Sequence, residues 1–549
     1  INEQGYIEKG YENLLLQSNS FLTTWTTSST SVTSGQSGYD GSNDAWLLES
    51  TSDGSRYLQQ LISVNSVQSI SIYAKANTAD FLGIQIIGTQ GGYSFFNLSN
   101  GTLGSSSSVV IDKAIELVSG TTDWYRCSFV LNANNTAIRI YPTNADNNFA
   151  STTGQNIYIQ DAMLNQGLAA YPYIETTTAS VAGGILEDEP RLDWSGSCPS
   201  LLLEPSRTNL IVQSEYLGSS WVHINTNYES NATASPEGLI NSTKVFANTS
   251  SGNHYFERQG YTGFTSGNYT YSFFAKSAGS DFVQIATSSG FDSRYQNFNL
   301  TTGQKTSGDA DLSGYDTSIT AIGDDGWYRL TITANAPSTS VRFLIVPILT
   351  DVGRNPLFTG DGTSGVYIYG AQMEQDATYP TSYIPTYGVS QTRLRAIDAA
   401  VIDTPIVFNA DDDFTFFIDL FAFRIINLYG GVMAYGGRPA SQSYFYISFG
   451  RTIIRGDVGD MFRSNSPLLN ANEQSKLIFN RSSGVMKMFY NGQEITDTTT
   501  INANQSFTFN SLGNAFSPSL FYSYEGTINQ FLVFPTALSD SECIALTTI

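Results

Sequence analysis

Two histidines, His223 and His254, and three cysteines, Cys127, Cys198 and Cys543, are all that the chain holds of the residue types most used for zinc binding and nucleophilic catalysis. A structural zinc site takes four Cys or His ligands at short spacing, and no CxxC or HxxxH pair occurs. The same scarcity starves Ser–His and Cys–His catalysis of its base. Three dispersed cysteines also make no disulfide framework. A glycosidase needs two carboxylates about 5 to 10 Å apart. Among 48 acidic residues no pair is singled out by its surroundings, so no catalytic residue is assigned and the chain reads as a non-enzyme. Asp411-Asp412-Asp413 and Glu187-Asp188-Glu189 could offer oxygens to calcium, but both lack the glycine and distant Glu of a calcium loop and read as solvated turns.

Rings set among amides are the one chemistry in good supply. Aromatic faces stack on pyranose C–H groups, while amide and carboxylate side chains bond the hydroxyls. Tyr39, Trp46, Tyr57 and Tyr255 lie in or beside Gly/Ser/Asn-rich loops and are the candidate ligand-binding residues. The competing reading for each is a ring packed at a sheet edge. Trp124-Tyr125-Arg126 and Trp327-Tyr328-Arg329 recur in matched context and could form stacking platforms; the alternation that follows them favours core or rim positions. Lys75 and Lys276 end apolar strands and read as edge lysines that discourage sheet-to-sheet pairing.

The elements that must position these residues follow from composition and period. A chain of 549 residues predicts three or four domains of roughly 100 to 200 residues each. Charged residues make up 13% against about 25% in an average soluble protein, and Phe, Tyr and Trp reach 13%. That is a β-sheet composition. The net charge of −22 opposes nucleic acid as a partner. No apolar run reaches the roughly 18 residues that span a bilayer, so membrane insertion is not expected. No signal peptide opens the sequence, and Ile1 in place of Met reads as a processed or truncated start.

A repeat organises the chain. Asn13-Leu14-Leu15-Leu16-Gln17-Ser18 with Trp25 returns as Asn209-Leu210-Ile211-Val212-Gln213-Ser214 with Trp221, and the matches continue in order at an offset that grows from 196 to 210. Gly54, Arg56 and Tyr57 meet Gly252, His254 and Tyr255; Ile138-Arg139 meets Val341-Arg342; Tyr158-Ile159 meets Tyr367-Ile368. Because His254 faces Arg56, a catalytic role there would be private to one copy. Runs such as Ser69–Lys75 and Tyr269–Phe274 alternate with period two, so each copy reads as a β-sandwich of jelly-roll type. The expected layout is an N-terminal connector over 1–11, repeat 1 over 12–175, an ordered connector over 176–208, repeat 2 over 209–388 and a third domain over 389–549. Within the second connector, Leu201-Leu202-Leu203 is expected to feed an edge strand into repeat 2. In the third domain Asn491-Gly492 predicts a hairpin, and Ser539 with Glu542 predicts a capped terminal helix.

The strand Phe414-Thr415-Phe416, the Tyr490-Asn491-Gly492 hairpin and the closing segment Phe531–Leu546 stand in the order of a concanavalin-like or laminin-G-like jelly roll, which residues 389–549 resemble. The segment Leu201-Leu202-Leu203-Glu204-Pro205-Ser206-Arg207-Thr208-Asn209-Leu210, with Trp221 downstream and Gly370-Ala371-Gln372-Met373-Glu374 at the end, is similar to what tailed-bacteriophage tail and fibre proteins carry. The two repeats resemble the carbohydrate-binding-module-like sandwiches of such virion proteins. Repeat 1 departs from the pattern, with Gly10-Tyr11-Glu12-Asn13 and Asp161-Ala162-Met163-Leu164-Asn165 in the matching places. These resemblances imply an all-β architecture of tandem jelly rolls. They also imply a structural and adhesion protein on the surface of a phage particle, of fibre or receptor-binding type. Its partners would be other virion proteins and a host-surface glycan, and its preferred assembly a homotrimer. No cofactor is implied; the concanavalin-like family admits calcium, which the sequence does not locate. Two alternatives stand beside adhesion: a purely structural virion part, such as a head fibre, decoration or tail-ring protein, and a polysaccharide depolymerase.

Overall fold

The alternating runs become strands throughout the computed structural model, which describes residues 1–186, 189–218, 221–258, 265–288, 293–309, 315–336, 342–388, 393–395, 398, 400–425, 430–434, 444–448, 450–456, 459–513 and 524–549. The fold is all-β, with one short helix among the described residues, Asp540–Thr547. The chain divides into two compact units: residues 7–187 with 209–393, and residues 1–6 with 188–208 and 394–549.

The first unit holds the duplication. In repeat 1 the strands Tyr57–Ala76 and Tyr125–Thr143, 20 and 19 residues long, pair with each other over most of their length. Each runs through both layers of the sandwich. The C-terminal half of Tyr57–Ala76 pairs on its other side with Asn156–Gln166, and the C-terminal half of Tyr125–Thr143 with Phe81–Thr89. In repeat 2 the same ladder is carried by separate strands. Gly267–Ala278 pairs with Trp327–Ala336 in one six-stranded sheet; Tyr255–Glu257 pairs with Arg342–Ile348 in another. Inward positions alternate as the period requires, so Leu58, Ile70, Ile72, Ile84, Phe129, Ile138 and Ile140 share one core with Trp46. Phe256, Phe273, Ile285, Leu330 and Ile345 do the same in repeat 2 with Trp221.

The recurring sequence motif closes each copy by the same bonds. Asn13 Nδ2 donates to the Ala162 and Ile174 carbonyls, and Asn209 Nδ2 to those of Ala371 and Ile384. Ser18 and Ser214 exchange hydrogen bonds with the hydroxyls of Tyr173 and Tyr383, both at 2.7 Å. The Trp25 and Trp221 indoles donate to the Gln17 and Gln213 carbonyls. Trp124 and Trp327 are buried, 4% and 3% exposed, as the alternation after them implied.

Two expectations are corrected here. Lys75 and Lys276 are not on edge strands, since Tyr57–Ala76 and Gly267–Ala278 each have a neighbour on both sides. They lie near strand ends, where a long side chain reaches past the sheet, and Lys75 Nζ meets Asp123 at 2.8 Å. The pairing of Arg139 with Arg342 is also displaced. Gln59 faces Arg139 in repeat 1, whereas its counterpart Glu257 faces Leu344, so Leu344 occupies Arg139's place. Similar Ile/Val-Arg dipeptides two residues apart had masked the shift; Val341 itself lies outside the described residues.

The second unit is a sandwich of two seven-stranded sheets around Phe414, Phe416, Leu420, Phe445, Ile454, Leu477 and Phe507. Leu201–Leu203, expected in repeat 2, pairs instead with Gly526–Ile528 of this unit and packs Leu203 into its core. The turn after Val485–Tyr490 uses Asn491 and Gly492 at φ 46° and 82°. Ser539 Oγ accepts from the Glu542 amide at 3.3 Å and the Glu542 carboxylate accepts from the Ser539 amide at 2.8 Å, which closes the capping box. The helix then seats Cys543 on Phe417, Ile478 and Phe489.

Candidate functional site

The four predicted rings fall in different surroundings. Trp46 is 7% exposed, packs edge-on against Phe21, and donates its indole N–H to the Asn19 carbonyl at 3.0 Å, so its ring is spent on the core. Tyr39 is half-buried. It stacks on Tyr73 with centroids 4.1 Å apart and donates its hydroxyl to Asp161 Oδ2 at 2.7 Å. Tyr255 is half-buried against the apolar cluster of Leu344, Val346 and Ile348. Tyr57 lies on the outward face of the sheet formed by Tyr57–Ala76, Tyr125–Thr143, Phe81–Thr89 and Tyr93–Asn97. The structure links Tyr39 and Trp46 through Asn19, whose carbonyl accepts from Trp46 and whose Oδ1 accepts from the amide of Asp161, the partner of the Tyr39 hydroxyl, and it places Tyr57 and Tyr255 on equivalent strands of the two repeats.

Tyr57's sheet face gathers aromatic, amide and guanidinium side chains. Strand alternation turns Ile138 and Ile140 into the core and therefore Arg139 and Tyr141 outward. Arg139 pairs in register with Gln59 on one side and Gln85 on the other. Its guanidinium lies 4.2 Å above the Tyr57 ring, and its Nε donates to Gln59 Oε1 at 2.7 Å. Tyr141 donates its hydroxyl to Gln85 Oε1 at 2.8 Å, and burial pushes its phenol above the ordinary value. Tyr93 extends the row and donates to Asn147 Oδ1 at 3.0 Å. Phe149 leans in from the following loop onto Tyr141, with centroids 4.5 Å apart, and onto Phe95. Gly83 makes room for that ring pair, since a Cβ there would stand 3.0 Å from Phe95. Tyr57, Gln59, Gln85, Tyr93, Arg139 and Phe149 all remain partly exposed. Donors, acceptors and ring edges thus line a rigid β surface.

The same face in repeat 2 is built from Ala286, Leu344, Val346 and Ile348, exposed by 4% or less, and Val352 packs over them. The covering loop is held down by Gln284, whose Oε1 accepts from the Asn355 amide at 2.6 Å and whose Nε2 donates to the Gly353 carbonyl at 3.1 Å. Both copies keep half-buried tyrosines on this face, Tyr57 and Tyr93 in one and Tyr255 and Tyr295 in the other, but only repeat 1 sets Arg139 and Gln85 between them. Arg139, Gln85 and Tyr93 are not among the four candidates read from the sequence, because they lie inside strands and the candidates were sought in and beside loops. The signal available was the change of Gln85 and Arg139 to small or apolar residues at the matching positions of the second copy.

Other concentrations of functional groups are accounted for locally. A cleft of about 370 Å³ is lined by Tyr11, Glu12, Asn65, Gln166, Thr386 and Tyr387, but the Tyr11 ring is already stacked on Tyr171 at 4.4 Å. Asp40, Ser42, Asp44 and Gln160 bond among themselves beside Asp161. Burial, partly offset by the Tyr39 hydroxyl, raises the Asp161 carboxyl to about 6. Both ring nitrogens of buried His254 face backbone carbonyls, Asn225 at 2.7 Å and Phe358 at 3.0 Å. His223 bonds the Leu217 carbonyl at 2.7 Å, and burial lowers its pKa. Asp412 accepts from Asn409 and Asp413 from the Ser483 amide, as turn acids do. Glu187 and Asp188 lie outside the described residues. Among the described residues no group of three or more His, Cys, Asp or Glu is arranged to hold a metal ion.

No protein-family model matches the chain, and no curated protein does. Among solved structures it is similar to the CBM40 of the Ruminococcus gnavus IT-sialidase, with 17% identity over 28% of this chain and 97% of that one and a TM-score of 0.22. It is similar also to domains LG4-5 of the mouse laminin alpha1 chain, with 11% identity over 50% and 86% of the two chains and a TM-score of 0.18. A third is the LG1-3 region of the laminin alpha2 chain, with 9% identity over 88% and 96% and a TM-score of 0.20. At these identities and scores the likeness carries no argument about function.

Proposed function

We propose that the chain is a lectin-like adhesion protein that holds glycan on the open sheet face of repeat 1. The observation that carries this reading is the difference between two copies of one fold. Repeat 1 keeps Arg139 and Gln85 partly exposed on this face, whereas repeat 2 has Leu344 and Ala286 at the matching positions, with Val352 packed over them; Tyr93 and its counterpart Tyr295 are half-buried rings in both copies. A purely structural sandwich would gain more from the second arrangement, because a polar face left open adds no apolar burial. Shallow faces of this kind suit wet, hydroxyl-rich ligands, for which ring edges and amides supply directional contacts.

The finer reading places the protein on the surface of a tailed-bacteriophage particle, among other virion proteins, with host-surface glycan as its target. It is supported by the resemblance of the Leu201–Leu210 segment and the tandem sandwiches to tail and fibre proteins. A homotrimer would multiply one weak site into useful avidity. No residue is assigned a catalytic role. Glycan-array binding by the intact chain tests the reading. Arg139→Ala and Tyr93→Ala are each expected to weaken the signal by about tenfold or more, as central contacts do. Binding that survives both substitutions would place the ligand elsewhere, and imaging of an intact particle would show whether this face points outward.

A further inference from the structure

Each of the two faces carries an arginine, Arg139 in repeat 1 and Arg342 two residues before the matching place in repeat 2, and the two are neutralised differently. In repeat 2 the buried Glu257 carboxylate takes two hydrogen bonds from Arg342, one of them from Nε at 2.8 Å. Gln59 stands in the place of Glu257 in repeat 1. Arg139 therefore donates to a neutral amide, and among the described residues no carboxylate pairs with it. The Tyr57 ring, 4.2 Å away, holds the guanidinium flat against the sheet. A planar fork of donors with its charge uncompensated fits a carboxylate by two parallel bonds, which a neutral hydroxyl cannot match.

We propose that this face selects a carboxylate-bearing pyranose, such as a uronic acid, with the sugar carboxylate bidentate on Arg139 and the ring hydroxyls within reach of Gln85 and Tyr93. The proposal rests on the reading of this face as a glycan site and adds the charge of the ligand. Tyr57 acts as a positioning residue that fixes the plane of the guanidinium. Gln59 keeps the site open, because a carboxylate at that position would occupy the fork, as Glu257 does for Arg342.

The test is calorimetric titration at 0.15 M salt with oligogalacturonate and oligoglucuronate, each beside its methyl ester and its neutral parent oligosaccharide. Acid forms are expected to bind about tenfold tighter than their esters, as befits a charge-assisted pair. Gln59→Glu should abolish that preference while the melting temperature stays within a few degrees, since repeat 2 already holds Glu257 at the matching place, bonded to an arginine on the neighbouring strand. Arg139→Lys should retain only part of it. Equal affinity for acid and ester, or a preference that survives Gln59→Glu, overturns the charge assignment and leaves the glycan reading standing. If no member of the panel binds, the glycan reading of the face falls and this inference falls with it.

Discussion

Asp161 shows how one residue can carry a pH dependence that its sequence neighbours do not announce. Its carboxylate receives the Tyr39 hydroxyl at 2.7 Å, yet burial, with Asp44 and Asp40 nearby, raises it to about 6. The folded chain then binds this proton more tightly than the unfolded chain does, so stability falls as pH rises from about 4 to about 6. Asp161→Asn removes the buried charge, keeps an acceptor for Tyr39 and suits the backbone φ of 54° at this position. It should stabilise the protein by about 2 kcal/mol at pH 7 and by much less at pH 4. Urea unfolding at the two pH values measures the difference, and an equal effect at both would remove Asp161 as the titrating group. Tyr39 and Asp161 are far apart in sequence, and only the pairing of Asn156–Gln166 with its neighbours brings them together.

At the scale of elements, the repeated Asn is a staple between strands. Asn209 Oδ1 accepts from the Ile211 and Met373 amides at 3.0 and 3.1 Å while Nδ2 donates to two carbonyls. Asn13 makes the same four bonds. Replacing either by Ala leaves buried backbone groups without partners, at about 1 kcal/mol or more for each. We expect Asn13→Ala and Asn209→Ala each to lower stability by about 3 kcal/mol in chemical denaturation; losses under about 1 kcal/mol would mean that water replaces the amide. The recurrence of Asn-Leu/Ile with Ser and Trp was legible in the sequence, and so was the two-residue period of the strands. The function of the motif was not. The Leu201–Leu210 segment spends its polar groups on the fold: Asn209 on strand closure and Glu204 between Arg191 and Arg395, 2.9 Å from each.

At the scale of the whole molecule, Lys9 is the most deeply buried lysine or arginine among the described residues of the unit that carries the repeats. Its ammonium lies 2.5 Å from Glu215 and 3.2 Å from Glu237, donates to the Tyr369 hydroxyl at 2.8 Å, and faces the Tyr171 and Tyr387 rings. Burial alone would lower its pKa, but the two carboxylates override this and hold it above the ordinary lysine value. The stability it contributes is complete at neutral pH and is lost only in strong alkali. Tyr171 belongs to the end of the first copy and Glu215, Glu237 and Tyr369 to the second, so one side chain near the N-terminus ties both copies into one unit. Lys9→Met strands two buried carboxylates and should cost roughly 3 to 5 kcal/mol. Scanning calorimetry is expected to resolve two transitions for the two units, with only the one belonging to residues 7–187 and 209–393 lowered by this substitution. A shift of both by the same amount would show that the units melt together.

Composition and period determined that the chain is all-β, and motifs recurring in order determined that its first two sandwiches are copies of one another. Strand alternation and recurring polar side chains are local properties, and each copy of the repeat states them independently. The open face of repeat 1 was decided by tertiary structure. Arg139, Gln85, Tyr93 and Tyr57 come from four strands and become neighbours only through ladder register, and which face a loop covers depends on how the chain returns over the sheet. The displaced match of Arg139 marks the limit: sequence similarity aligned it with Arg342, and only backbone pairing put Leu344 in its place.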